Sequence, residues 1–309
     1  MTRRPAPGLS RRELIKGLGI AGGALLLNSW GCSRGALREA TCFQTAGRKV
    51  RWIVPFPPGG GYDVYSRLLE PFYQEKIGAE IAVENIPGAG GRVAANTLKS
   101  SDPDGLTLGI LNAPGLLVAS LTGESSAPNP AKDFTILGRV VRNQVVLVTG
   151  YSSPFRTIED VLAEAGRRHI LFGISEIGST NFVNMAVTAS LLGIDARFIA
   201  GFAGSRETSL AAMRGEVDLS AFTFESILDR VEAQDLRPIL QISAKTISPH
   251  ASLEGVPLLC GEAGLVGGRA AQLGRDARQT EADAQALVNL SQTGLLVAAP
   301  PRMDEGLFQ

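Results

Sequence analysis

Val54-Pro55-Phe56-Pro57-Pro58-Gly59-Gly60-Gly61-Tyr62-Asp63-Val64-Tyr65-Ser66-Arg67 is the stretch on which the reading of the chain turns. The apolar Trp52-Ile53-Val54 in front of it predicts a buried strand, and the prolines then end that strand because each lacks the N–H a sheet needs. Three glycines allow a turn whose amides stay uncovered by side chains. Tyr62, Tyr65, Leu68, Leu69 and Phe72 then recur at helical spacing. A strand, a glycine loop and a helix N-terminus in that order can hold an anion, because free N–H groups and the positive helix end converge there. An ordinary tight turn with a cap at Asp63 reads the same residues equally simply.

A second junction of the same kind follows. Ile81-Ala82-Val83-Glu84-Asn85 predicts a strand, Ile86-Pro87-Gly88-Ala89-Gly90-Gly91-Arg92 a loop, and Val93 to Leu98 a helix. In a parallel sheet both loops lie at the carboxyl ends of the strands, the usual ligand edge. Neither loop carries the G-x-G-x-x-G or G-x-x-x-x-G-K-[ST] spacing of a nucleotide site, so no cofactor is expected.

Pro55-Phe56, Gly59-Gly60-Gly61, Asp63 and Arg67, then Val83-Glu84-Asn85, Pro87-Gly88-Ala89-Gly90-Gly91 and Pro103-Asp104-Gly105-Leu106-Thr107-Leu108, fall in an order that resembles the extracytoplasmic solute-binding proteins of tripartite tricarboxylate transporters (Bug-type receptors). Weaker echoes run through Phe172-Gly173, Gly178-Ser179, Gly215-Glu216-Val217-Asp218 and Gly255-Val256-Pro257, so the resemblance covers roughly residues 48–300. It implies an α/β chain with a two-lobed periplasmic binding protein fold, type II-like and of the Venus flytrap kind, with the ligand cleft between lobes. It also implies a small carboxylate as ligand and membrane permease subunits as partners. On that reading residues 1–44 are export signal and linker, 45–142 the first part of lobe 1, and 143–240 lobe 2. Residues 241–309 return to lobe 1, with Arg237 to Ile242 as the returning strand and a C-terminal end that looks incomplete.

The N-terminus reads as targeting. Ser10-Arg11-Arg12-Glu13-Leu14-Ile15-Lys16 resembles a twin-arginine export signal, and the apolar run from Leu18 to Trp30 is too short to span a bilayer. Replacing both Arg11 and Arg12 with Lys is expected to leave precursor in the cytoplasm. Cys32 follows Gly31, as a lipidated cysteine would, but Trp30 fits that pattern badly; a lipid anchor and a plain cleaved signal both remain open. Cys42 and Cys260 are too far apart in sequence to show whether they meet, and no C-x-x-C occurs.

The second lobe is expected to repeat the junction. Ile170 to Ile174 predicts a strand, Ser175-Glu176-Ile177-Gly178-Ser179-Thr180 a loop, and Phe182, Met185, Ala189 and Leu192 a helix. Thr157 with Asp160 predicts a capped helix start. The candidate ligand set is therefore Pro58, Gly59, Gly60, Gly61, Tyr62 and Asp63; Gly88, Ala89, Gly90 and Gly91; Gly178, Ser179 and Thr180. The resemblance adds Asn112 and Ala113 after the strand at Thr107–Leu111, and Ala203 and Gly204 from a loop that lacks the family's usual tyrosine and lysine. Lys and Arg are absent from Pro58–Tyr62, Gly88–Gly91 and Gly178–Thr180, which predicts an anion held by neutral donors. Gly60→Val and Gly90→Val are expected to abolish binding. Asp63 either fixes its loop or meets a ligand hydroxyl or amine.

Composition narrows the alternatives. Formal net charge is zero, which gives no reason to expect a nucleic acid partner, and a monomer is expected. His169 and His250 are the two histidines, with no H-E-x-x-H, G-x-S-x-G or S-x-x-K pattern, so no catalytic or metal residue is assigned. Residues 267–284 are rich in Ala, Arg, Gln and Asp and read as an exposed helix or a mobile segment. A sensing or accessory module on the same fold and an exported enzyme stand as the alternative functions.

Overall fold

Val50, Trp52, Ile53 and Val54 are all buried along the strand β1 (Lys49–Val54), so both faces of the sheet there are covered, as a parallel strand flanked by helices requires. The computed structural model describes residues 47–246 and 250–303, all within the unit Cys42–Gln309. Arg11, Arg12, Cys32 and Cys42 lie outside the described residues. After β1 come α1 (Gly61–Ile77), β2 (Glu80–Asn85), α2 (Arg92–Lys99), β3 (Thr107–Leu111), α3 (Ala113–Leu121) and β4 (Thr135–Val141). The chain continues through β5 (Val145–Gly150), α4 (Ile158–Glu164), β6 (Ile170–Gly173), α5 (Thr180–Leu192), β7 (Ala196–Ile199) and α6 (Ser205–Met213). It ends with β8 (Ser220–Thr223), α7 (Leu228–Glu232), β9 (Leu236–Gln241), α8 (Leu265–Gln272), α9 (Ala277–Ser291) and β10 (Leu295–Ala299).

The first sheet has the order β2-β1-β3-β10-β4. β1 is parallel to β2 and β3, whereas β10 runs antiparallel to both β3 and β4. Trp52, Val54, Ile81, Ile110 and Val297 pack together in one core, and Ile53, Ala94, Leu98, Leu111 and Leu116 in another. The second lobe is built on the antiparallel sheet β8-β5-β9 and the parallel pair β6-β7. Every residue of β5 is buried, and alternate residues serve two cores: Val145 and Leu147 in one, Val146 and Val148 in the other.

Local signals account for the helix ends that position the loops. Gly78 closes α1 in the left-handed conformation (φ 64°), and Thr157 and Asp160 form a reciprocal capping box on α4, as their spacing predicts.

Two expectations about the return path change. Leu236–Gln241 does not carry the chain back to the first sheet; it pairs with β5 at the edge of the second, the place in a sheet where a proline such as Pro238 is tolerated. Residues 267–284 form parts of α8 and α9, which pack on α5. Within 267–284 the buried residues of these helices are Ala270, Thr280 and Ala284, too small and polar to stand out in sequence. Among the described residues after β9, β10 is the strand that rejoins the first sheet.

The lobes are thus joined at residues 142–144 and 292–294. Arg142 bonds to the Gln292 side chain across the two connections, with Nε 3.1 Å from Oε1. Gly294 has φ +69°, and a Cβ there would stand 1.7 Å from the Val141 carbonyl oxygen.

Candidate functional site

Three helix N-termini meet between the lobes. α1 begins after Gly60, α5 after Ser179 and α6 after Gly204, and all three junctions line one cavity of about 100 Å³. A single water needs about 10–15 Å³ on this scale, so the cavity takes a small molecule. First-turn amides have no acceptor within their own helix, and each helix end carries a partial positive charge. Among the described residues no Lys, Arg, His, Asp or Glu lines the cavity. Its polar side chains are Tyr62 and Tyr65 from the first lobe, Asn143 from the connection, and Ser175, Asn181, Asn184, Ser205 and Thr223 among those of the second.

Of the residues singled out by sequence, Gly60, Gly61, Tyr62, Ser179, Thr180 and Gly204 border this cavity. Gly60 tolerates a Cβ, whose nearest neighbours would be Pro57 O at 3.5 Å and Ser205 Oγ at 3.8 Å across the cleft. The Ser179 hydroxyl is occupied at home: it donates to Glu176 O (2.6 Å) and accepts from Phe182 N–H, capping α5.

The rest of the set does other work. Asp63 is buried at 3% exposure and its carboxylate accepts from Gly59 N–H (2.9 Å), Arg67 Nε (3.0 Å) and Asn85 Nδ2 (3.0 Å). Burial opposes its ionisation, but the bond from Gly59 and those from Arg67 and Asn85 outweigh it and hold the carboxyl below its usual range. Asp63 therefore ties the glycine loop to α1 and β2. Pro58 and Gly59 are exposed beside it, and Ala203 gives its N–H to Glu207 (2.8 Å).

Gly88, Ala89, Gly90, Gly91, Asn112 and Ala113 do not border the cavity; this second glycine loop instead meets Gly178 of the other lobe. Asn112 is the hub of the contact. Its Nδ2 donates to Gly90 O (2.7 Å) and Gly178 O (3.1 Å), and its Oδ1 accepts from Thr180 Oγ1 (2.7 Å). Tyr62 O–H approaches Thr180 Oγ1 at 3.0 Å, which extends the chain of bonds across the cleft. Burial pushes the Tyr62 phenol up to about 12, so it stays protonated. A Cβ on Gly90 would meet the Gly178 backbone at 2.8 Å, and one on Gly115 would stand 2.1 Å from Gly178 O. The lobes are in contact because these positions carry no side chain.

Sequence reasoning missed Phe56, Tyr65, Asn143, Ser175, Asn181, Asn184, Ser205 and Thr223. Ser175 lies at the start of a junction loop already recognised, and Asn181 and Ser205 one residue beyond recognised junctions; Asn143 carried no local signal at all. Among the described residues no group of three His, Cys, Asp or Glu is placed to hold a metal, and no helix is long and apolar enough to cross a membrane.

Known proteins resemble this chain in sequence and in fold. Protein BugT of Bordetella pertussis is 26% identical over 200 residues, covering 64% of this chain and 61% of that protein. The UPF0065 protein in the tcbD-tcbE intergenic region of Pseudomonas sp. strain P51 is 26% identical over 222 residues, or 71% and 65%. The chain thus spans under two thirds of the length of these curated relatives. Among solved structures, MatC of Rhodopseudomonas palustris with bound malate superposes with a TM-score of 0.66 at 21% identity, covering 84% of this chain and 80% of that one. The periplasmic binding protein BugD superposes equally well, TM-score 0.66 at 17% identity over 84% and 79%. These likenesses establish the periplasmic binding protein fold. The family model described as tripartite tricarboxylate transporter family receptor matches residues 66–261, and the chain belongs to that family.

Proposed function

We propose that this chain is a periplasmic solute-binding protein that captures a small carboxylate between its lobes and passes it to the membrane subunits of a tripartite tricarboxylate transporter. The observation that carries the reading is the convergence of three helix N-termini, at Gly60, Ser179 and Gly204, on a cavity lined by no charged side chain. Such a site holds an anion by backbone donors. Hydrogen bonds to a charged group contribute roughly 1.5–3 kcal/mol each, so three or four suffice for micromolar binding at about 8 kcal/mol. The family match supports the same reading, and MatC, a fold relative, was solved with malate bound.

The mechanism is hinge closure on the connections at 142–144 and 292–294. The Asn112–Gly178–Thr180 contact exists only with the lobes together, so open and closed forms present different surfaces for a permease to distinguish. Export by Arg11 and Arg12, a periplasmic location, a monomeric state and the alternative of lipidation at Cys32 complete the proposal. Calorimetry with mono-, di- and tricarboxylates, neutral sugars and cations tests it. Micromolar binding of a carboxylate is expected; a preference for sugars or cations over every carboxylate overturns it.

A further inference from the structure

The cavity between the lobes combines one place for a charge with a broad apolar wall. Several polar side chains at its edge are spent inside the protein. Ser179 donates to Glu176 O (2.6 Å), Thr180 to Asn112 Oδ1 (2.7 Å), Asn184 Nδ2 to Thr180 O (2.9 Å) and Ser226 to Thr223 O (2.7 Å). The first-turn amides of α1 and α6 are open to a charge, because their N-cap residues, Gly60 and Gly204, have no side chain to bond them. These two helix ends face each other closely: a Cβ on Gly60 would stand 3.8 Å from Ser205 Oγ. Ends that near serve one anion position, not two.

Phe56, Tyr65, Val145, Phe222 and Leu295 supply the apolar wall of the same cavity. A second carboxylate would lie against these side chains, and among the described residues no Lys, Arg or His lines the cavity to neutralise it. A hydrocarbon chain suits the same wall, since each methylene removed from water there strengthens binding by about fourfold. Size sets the length. A cavity of about 150 Å³ takes benzene, so one of about 100 Å³ takes an acid of roughly four carbons. We propose, on the basis of the carboxylate reading above, that the cavity selects a short monocarboxylate with an apolar chain over di- and tricarboxylates, and that Tyr65 and Val145 are among the residues that set this choice.

The test is calorimetry on the purified chain with acetate, propionate and butyrate, and with succinate, L-malate and citrate. Butyrate and succinate share a four-carbon chain and differ in the second carboxylate. The wild type is expected to bind butyrate at least about tenfold more tightly than succinate, and to gain about fourfold per methylene from acetate to butyrate. Val145→Thr keeps the shape of the wall but sets a hydroxyl in it, and Tyr65→Ser removes part of it. Each is expected to weaken butyrate by about threefold or more and acetate by less than about twofold. A residue that matters only for folding would lower the melting temperature and leave the butyrate-to-acetate ratio unchanged. That ratio unchanged in both variants, tighter binding of succinate, malate or citrate than of butyrate, or no gain along the series overturns this inference alone. Failure of every acid to bind overturns the carboxylate reading and this inference with it.

Discussion

The carboxylate of Asp63 is enclosed by the donors of Gly59, Arg67 and Asn85, and its neighbours depend on its charge. Asp63→Asn keeps the shape but sets an N–H₂ among donors. We expect a loss of about 1–3 kcal/mol in unfolding free energy by urea titration, with the ranking of carboxylate ligands unchanged. Because the folded-state pKa of Asp63 is lowered, its contribution is present above the ordinary value of 3.8 and is lost as pH falls through the folded value. At the alkaline end the sign is opposite. Burial raises Tyr62 from 10.0 to about 12, and burial with the charge of Glu281 raises Cys260 from 9.0 to about 11. Both are neutral when protonated, so the stability they contribute is complete below pH 9.0 and is lost as pH rises to about 12. Melting temperatures measured from pH 8 to 12, about the span set by these groups, should fall less steeply in the Tyr62→Phe, Cys260→Ala double variant than in the wild type.

Among elements, the junctions were legible because each couples an apolar run, glycine and helical spacing within fifteen residues or so of chain. The starts of α1, α2 and α5 were therefore placed from sequence, as was the Thr157 cap. The partner of each loop was not. Nothing near Gly88–Gly91 says that Gly90 lies against Gly178, eighty-eight positions on, and the small or polar start of the α9 stripe, Thr280 and Ala284, hides its packing on α5. Asn143 escaped for the same reason, since its importance lies in what surrounds it after folding. The structure also changes what a glycine variant should do. Gly90→Val acts by keeping lobes apart, at a left-handed φ of +66°, and not by plugging the cavity. Gly115→Ala avoids the backbone strain, because its φ is not in the left-handed range, yet its Cβ would stand 2.1 Å from Gly178 O and 2.4 Å from the Nδ2 of Asn112, the hub of the contact between the lobes. We expect Gly115→Ala to keep its circular dichroism, to show a larger radius of gyration with ligand by small-angle scattering, and to bind at least about tenfold more weakly, as when the competent state falls to a tenth.

For the whole molecule, the two connections between the lobes come close together at Gly294. Its φ of +69° and the 1.7 Å approach to Val141 leave no room for a side chain. Gly294→Ala should cost more than the roughly 1–3 kcal/mol of the backbone conformation alone, read as a lower urea midpoint. Those same connections join β4 and β10, which are paired antiparallel strands with Leu295 opposite Val141. The second lobe is thus a single uninterrupted insert, held where a hairpin would otherwise have a turn. In hereditary terms it is a cassette: one exchange of the coding segment for residues 144–292 would replace the Ser179 and Gly204 half of the cleft and leave the Gly60 half untouched. New ligand preferences can then arise by recombination between relatives, half a site at a time, without disturbing the sheet that carries the rest.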